Sequence, residues 1–431
     1  MNQSSPSPAG TPPAVSPQAS AAMLPAVSAG APAGASATFD FDTHTFLVGS
    51  EIALRPTTTD DAPWTSSWRE LPFPVSTATT ETWIDEKIGG DAGNPYLIVR
   101  REDGRPVGMF TGQGNFPSRQ LRVFIDPLFG ANATRWTIEA YALLVPWLIE
   151  EKHQAALHVT LPDDQPEVIA ALIVNGWRET ARFSGLHWSA ASATWVDRVM
   201  LEYLNPQWLA LLGDPQLEVL ERTGSGVPRP VPAIPAAVAS PDPAPKQAVM
   251  IGARVYLRPL NKDDAVTLSE WTRQETDGTW STGRRRFIYP VGFAEANDKL
   301  QEGELQTWIR FAVCLRETDE VIGSLGLVGV NYLNGSAETE SEINRPDYRE
   351  RGYGSEAKHL LLEYAFDRLG LRAVHSWVGF ANTRSAAALR KQGYAEAGRM
   401  NWAYPDDGGF GNAVVFSLFA DDWRAMPRVA S

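Results

Sequence analysis

The sequence predicts an α/β (α+β) chain made of two tandem folded units. Three observations lead there: the two halves resemble each other, a proline-rich stretch separates them, and strand patterns alternate with helix starts inside each half. A chain of 431 residues also exceeds one ordinary core of roughly 100 to 200 residues.

Residues 1–39 carry no charged side chain and are dominated by Ala, Pro, Ser and Gly. Such a composition cannot offset chain entropy by burial, so 1–40 is expected to be a disordered tail. A secretory signal would need a basic start and an unbroken apolar stretch, and prolines interrupt this one. Prolines at 228, 230, 232, 235, 241, 243 and 245 make 223–248 an extended, semi-rigid linker between units 41–222 and 249–431.

Gly49 to Trp68 lies on Gly252 to Trp271 without a gap. Leu54-Arg55-Pro56, Asp60-Asp61-Ala62 and Trp68 meet Leu257-Arg258-Pro259, Asp263-Asp264-Ala265 and Trp271. Each reads as a strand stopped by proline, then an Asp capping a helix. Next come hairpins, Tyr96–Val99 with Val107-Gly108 and Phe311–Leu315 with Ile322-Gly323. Late in each half, Asn175-Gly176-Trp177 parallels Gln392-Gly393-Tyr394, a helix end capped by glycine.

Hydrophobic residues at 43% and charged residues at 21% fit a globular, water-soluble chain. No window holds the roughly 18 apolar residues of a spanning helix, and a net charge of -13 argues against general nucleic-acid binding. The single cysteine, Cys314, excludes an intrachain disulfide and a thiolate metal cluster and fits a cytoplasmic protein. Its apolar neighbours suggest a buried strand thiol.

The most informative segment runs from Ile343 into Arg349-Glu350-Arg351-Gly352-Tyr353-Gly354 and then a helix whose apolar face is Ala357, Leu360, Leu361, Tyr364, Ala365 and Leu369. Glycines before a helix start let backbone approach a ligand, and the free N–H groups favour a pyrophosphate. Pro346 to Ala357, followed by Asn382-Thr383-Arg384-Ser385 and then Leu389, Lys391, Gly393 and Tyr394, resembles the RimJ/RimL branch of the GNAT N-acetyltransferases from Ala253 to Trp423. The resemblance implies a central mixed, splayed β-sheet flanked by helices in each unit. It implies acetyl-CoA as co-substrate, without a metal, held by Ile343, Asn344, Arg349, Arg351, Gly352, Tyr353, Gly354 and Ser355. Asn382 and Ser385 would meet the pantetheine arm; Asn382 can equally be a helix N-cap. A backbone N–H near Ile343 or Asn344 would hold the oxyanion.

An alkyl ammonium must lose a proton before it attacks a thioester. Glu338, Glu340 and Glu342 alternate on one strand face. Glu338 coincides with the base of histone-type family members, Glu340 is second, and a solvated strand edge is the bland reading. Where many members have a tyrosine acid stands Leu389, which leaves the general acid unnamed; Tyr394 and His375 are nearby candidates that read first as packed core residues. The acceptor, expected to be a small-molecule amine, would meet Trp280, Arg284 and Tyr289 after the first helix and Trp402 and Tyr404 of the last hairpin. A protein N-terminal acetyltransferase and a non-catalytic acyl-CoA-binding module are the alternatives.

The first half places Gly130 to Arg135 opposite Arg349 to Gly354, so both motif glycines are lost and Arg135 obstructs a phosphate. It is expected to pack against the second half as an intramolecular pseudo-dimer, anchored by Trp188, Trp195 or Trp208, the whole chain being monomer or homodimer.

Overall fold

Each half opens on a strand that ends in proline, which has no N–H to continue a ladder. These are Ile52–Pro56 (β2), preceded by Leu47–Val48 (β1), and Val255–Pro259 (β10), preceded by Met250–Ile251 (β9). The arginine before the proline turns onto an aspartate. Arg55 binds Asp61 at 2.8 and 2.7 Å and Arg258 binds Asp264 at 2.7 and 2.8 Å. Each aspartate also accepts the N–H three residues earlier, of Thr58 or Asn261. The capping aspartate thus reaches back from inside the turn rather than standing at the N-cap position.

The computed structural model describes residues 46–65, 75–88, 95–114, 116–215, 243–261, 306–406 and 408–428, with isolated positions between them. The first half continues through Thr77–Ile88 (α1), Tyr96–Arg100 (β3), Pro106–Gln113 (β4), Ser118–Ile125 (β5), Ala131–Pro146 (α2), Ala156–Pro162 (β6), Pro166–Val174 (α3), Arg178–Ser189 (β7), Thr194–Leu204 (β8) and Pro206–Leu212 (α4). The second continues through Ile309–Leu315 (β11), Val321–Asn331 (β12), Ser336–Ile343 (β13), Tyr353–Glu363 (α5), Ala373–Gly379 (β14), Thr383–Lys391 (α6), Ala395–Asp406 (β15), Gly409–Phe419 (β16) and Ala420–Ala425 (α7). The strands form one sheet, β1-β2-β3-β4-β5-β6-β8-β7-β15-β16-β14-β13-β12-β11-β10-β9. Read inward from either end, the order is the same.

Two adjacent pairs run parallel, β5–β6 and β13–β14, and both contacts are short. β13 pairs β14 only from Ser336↔Ala373 to Glu338↔His375, although both strands run on. The sheet therefore splays in its second half where expected. β5 and β6 part likewise after Leu121↔Val159. Helix α5 covers β10 to β13 with Ala357, Leu361 and Leu362, all wholly buried; truncating such a leucine to alanine typically costs about 2 to 5 kcal/mol. Cys314 is buried in β11, as its neighbours suggest.

Glu139 and Glu356 mark equivalent helix positions. Glu139 accepts the N–H of Glu51 at 2.9 Å and Glu356 that of Arg254 at 2.7 Å, so each helix holds the turn after its half's first strand. Relative to these anchors α2 begins at Ala131, over a turn earlier than α5 at Tyr353. The expected obstruction by Arg135 is thereby corrected: the segment opposite the glycine loop is already wound into helix. After Pro146 the first-half helix continues as a π-turn, Trp147–Glu151, and the second half has the same turn at Tyr364–Arg368 without a proline.

The halves meet where Gly398 of β15 pairs with Ala181 of β7. A Cβ at Gly398 would lie 2.3 Å from the Thr180 carbonyl oxygen and 2.4 Å from Ala181 Cα, so only glycine lets the strands approach. Beside this contact, wholly buried Glu202 of β8 accepts from Arg178 Nε at 2.7 Å and from Asn401 Nδ2 of β15 at 2.8 Å. Of the expected anchors, Trp208 packs on Phe410 and Phe116. Trp188 and Trp195 stay 45% and 37% exposed, although Arg372 stacks on Trp195. Within the proline-rich stretch, buried Ile234 joins the core of the second half and donates its N–H to the Pro427 carbonyl at 2.7 Å.

Candidate active site

The glycine loop is held by arginines that bind carbonyls. Arg349 donates Nε–H to the Ile343 carbonyl at 2.8 Å and an Nη2–H to that of Asn344 at 3.2 Å, tying the loop to the end of β13. Arg254 donates to the Arg351 carbonyl at 2.9 Å, binds Glu356 at 2.9 Å and lies over the Tyr353 ring. Tyr348 donates its hydroxyl to Glu320, which also binds Arg345. Gly352 caps the helix at φ +83°, a left-handed conformation that a side chain would strain. With the carbonyls thus engaged, the N–H groups of the first helical turn remain for a ligand.

From this loop a cleft of about 750 Å³ enters the splay. Its mouth is Arg349, Gly352, Gly354 and Ser355; one wall is Glu338, Glu340, Glu342, Ile343 and Asn344 of β13 and beyond; the other is Ser376, Trp377, Asn382, Ser385 and Leu389. The three glutamates share this wall because β13 keeps register with β12 from Val328↔Glu338 to Gly323↔Ile343. β13 is paired on both sides as far as Glu338 and borders the open cleft on one side at Glu340 and Glu342. Arg310 Nε lies 3.0 Å from Glu340 Oε1. Asn382 accepts the Ser385 N–H at 3.0 Å and so caps α6 while facing the cleft.

Other expected site residues lie elsewhere. The side chains of Arg351 and Tyr353 do not line the cleft; the Tyr353 ring lies under Arg254, which also binds the Arg351 carbonyl. Trp402 is buried between the halves against Phe410, at φ +49°. Tyr404 donates its hydroxyl to the Asn412 carbonyl. The register shift between Met400 and Tyr404 takes both away from the cleft. Trp280, Arg284 and Tyr289 fall outside the described residues.

Neither acid candidate fits. Tyr394 shares a hydrogen bond with Thr339 at 3.0 Å, and burial pushes its hydroxyl pKa up. Burial, aided by Arg198, pushes His375 down to about 4, and its ring packs on Phe183 of the first half. The residue that reading the sequence missed is Lys358. It is 2% exposed, lines the cleft, and stands 5.9 Å over the Tyr394 ring. Its signal was present: position 358 is one turn after Gly354 and one before Leu362, so a charge falls on the buried arc of α5. Arg384 and Lys391 also line the cleft unforeseen.

A GNAT acetyltransferase domain model matches residues 254–395. The uncharacterized N-acetyltransferase p20 of Bacillus licheniformis is 30% identical over 178 residues, 39% of this chain and 95% of that protein. The chain belongs to the GNAT acetyltransferase family. This N-acetyltransferase is also 28% identical to the spermidine N(1)-acetyltransferase of Escherichia coli K12 over 175 residues, 40% of its own length and 89% of the relative's. Among solved structures it is similar to spermidine N-acetyltransferase from Vibrio cholerae in complex with CoA and spermine, at 18% identity and TM-score 0.37, covering 40% of this chain and 99% of that one. Among the described residues no His, Cys, Asp and Glu group could hold a metal, and no helix is long and apolar enough to cross a membrane.

Proposed function

We propose that the enzyme moves the acetyl group of acetyl-CoA to a primary amine of a small molecule by direct attack on the thioester. The observation that carries this is the parting of β13 from β14 beyond Glu338, which opens a cleft between a glycine-capped helix start and a wall of carboxylates. The first-turn amides from Arg351 to Gly354 suit the pyrophosphate. Arg349 keeps the loop in place and Asn382 faces the pantetheine path. Glu338, on the cleft wall where β13 parts from β14, takes the proton of the acceptor ammonium. Three carboxylates on one wall favour a cationic acceptor, and the relative named for spermidine agrees in kind.

The shared strand order and the matched Glu139 and Glu356 support a duplication, with 41–222 a copy that has lost its loop, 223–248 the linker and 249–431 the catalytic unit. Calorimetry should find one acetyl-CoA site per chain. A Cβ at 354 sits 3.3 Å from Ile343 Cγ1, so Gly354→Glu fills the mouth and should abolish binding while circular dichroism stays native. Two sites, or binding unchanged in this variant, would overturn the reading.

A further inference from the structure

We propose that Lys358 is the general acid of acetyl transfer, giving its proton to the departing coenzyme A sulfur. The inference rests on the reading that acetyl-CoA occupies the cleft between β13 and β14.

Four observations point to it. The position at which many family members have a tyrosine acid is Leu389, a cleft-lining side chain that holds no proton to give. Tyr394 is tied to Thr339 and His375 faces the other half. Lys358 lines the cleft one helical turn beyond Gly354, between the mouth and the closed end at Glu338–His375, where the thioester end of the donor must come to rest. Among the described residues no hydrogen bond or ion pair holds its ammonium, although it is 2% exposed; its neighbour is the Tyr394 ring. A buried amine without a partner is costly, and such a group is retained where a ligand completes its environment.

The groups that face it set its charge. Burial pulls Lys358 down to about 7, while Glu340 and Glu338 oppose this from β13. Arg310 lies beside Glu340, and the hydroxyls of Thr339 and Tyr394 are neutral. An acid that titrates near working pH is best matched to transferring a proton in either direction.

The cycle balances. Glu338 takes one proton from the acceptor ammonium. The amine lone pair forms the C–N bond, the C–S pair goes to sulfur, and Nζ–H passes to that sulfur to give the thiol. The second amine proton leaves to water, and Glu338 returns its own proton to Lys358, restoring both groups.

The test uses the full chain with ¹³C-labelled lysine. One lysine signal should titrate near pH 7 and vanish in Lys358→Met; a spectrum in which every signal titrates above pH 9 would overturn the proposal. Thiol release from acetyl-CoA, with spermidine as acceptor or with water alone, should fall about 10²-fold in both Lys358→Met and Lys358→Arg, the usual size of acid–base effects, with calorimetric acetyl-CoA affinity unchanged. The loss should shrink to a few-fold with 4-nitrophenyl acetate, whose leaving group departs as a stable anion. Parent-like turnover in Lys358→Arg would assign a charge role instead, and an equal loss with both donors would assign packing; either result overturns the proposal. Acetyl-CoA binding that survives Gly354→Glu strikes the cleft reading itself, a separate failure.

Discussion

Replacing Glu202 with alanine probes what fastens the two halves. The carboxylate is wholly buried and accepts from Arg178 of its own half and from the Asn401 side-chain amide and N–H of the other. Burial raises the Glu202 carboxyl above its usual range against the pull of Asn401 and Arg178. A carboxyl whose folded pKa is raised contributes stability that is full below the unfolded value and lost as pH rises through the folded one. Glu202→Gln keeps one carbonyl oxygen for Arg178 Nε and the Asn401 side-chain amide but turns an NH2 toward the Asn401 N–H, so it should cost less than alanine. Alanine differs, because it strands the two Asn401 donors, at about 1 to 3 kcal/mol each. Arg178 adds little, since it keeps Asp214 at 2.8 Å and its side chain is 27% exposed. The expected loss is about 4 kcal/mol, concentrated at the junction. Urea unfolding followed by tryptophan fluorescence should show one transition for the parent and the Gln variant, and two separated transitions for Glu202→Ala. Identical curves for the Ala and Gln variants would refute the reasoning.

Glu338→Gln should lower turnover by about 10²-fold with acetyl-CoA affinity unchanged by calorimetry; parent turnover at every pH would move the base to Glu340. Lys358→Met should stabilise the fold. With the folded pKa lowered from 10.5 to about 7, the parent carries a penalty on the order of 3 to 5 kcal/mol below pH 7 that fades as pH rises toward 10, so the difference in thermal midpoints should narrow over that range. Arg349→Lys keeps the charge but not the two-carbonyl grip on Ile343 and Asn344, and should weaken acetyl-CoA binding about tenfold without changing the melting curve.

The fold was legible where local chemistry repeats. Arg-Pro followed by Asp, glycine helix ends at 176 and 393, and alternating glutamates all act within a few residues, and the structure uses each of them. What resisted was set by distance in the chain. Lys358 falls on the apolar arc of α5 in the sequence, but that it lines a cleft is fixed by the sheet behind it. Trp402 and Tyr404 read as hairpin residues near a site until a register shift and the other half decide where they point. The grip of Arg349 on the Ile343 and Asn344 carbonyls leaves no mark in the sequence, because every residue possesses a carbonyl. The early start of α2 shows only against the contact between Glu139 and the first turn, 88 residues away.

The pairing of Gly398 with Ala181 has a consequence for how the enzyme behaves on dilution. Edge strands that find each other between separate molecules do so through an association equilibrium, and the assembled fraction falls with concentration. Here both edges belong to one chain, so each sees the other at the effective concentration fixed by the connecting segment, whatever the cell contains. Joining also removes the two strand ends as docking sites for strangers. Activity per molecule should thus hold constant from micromolar to picomolar enzyme, a range over which an assembly of separate subunits would come apart.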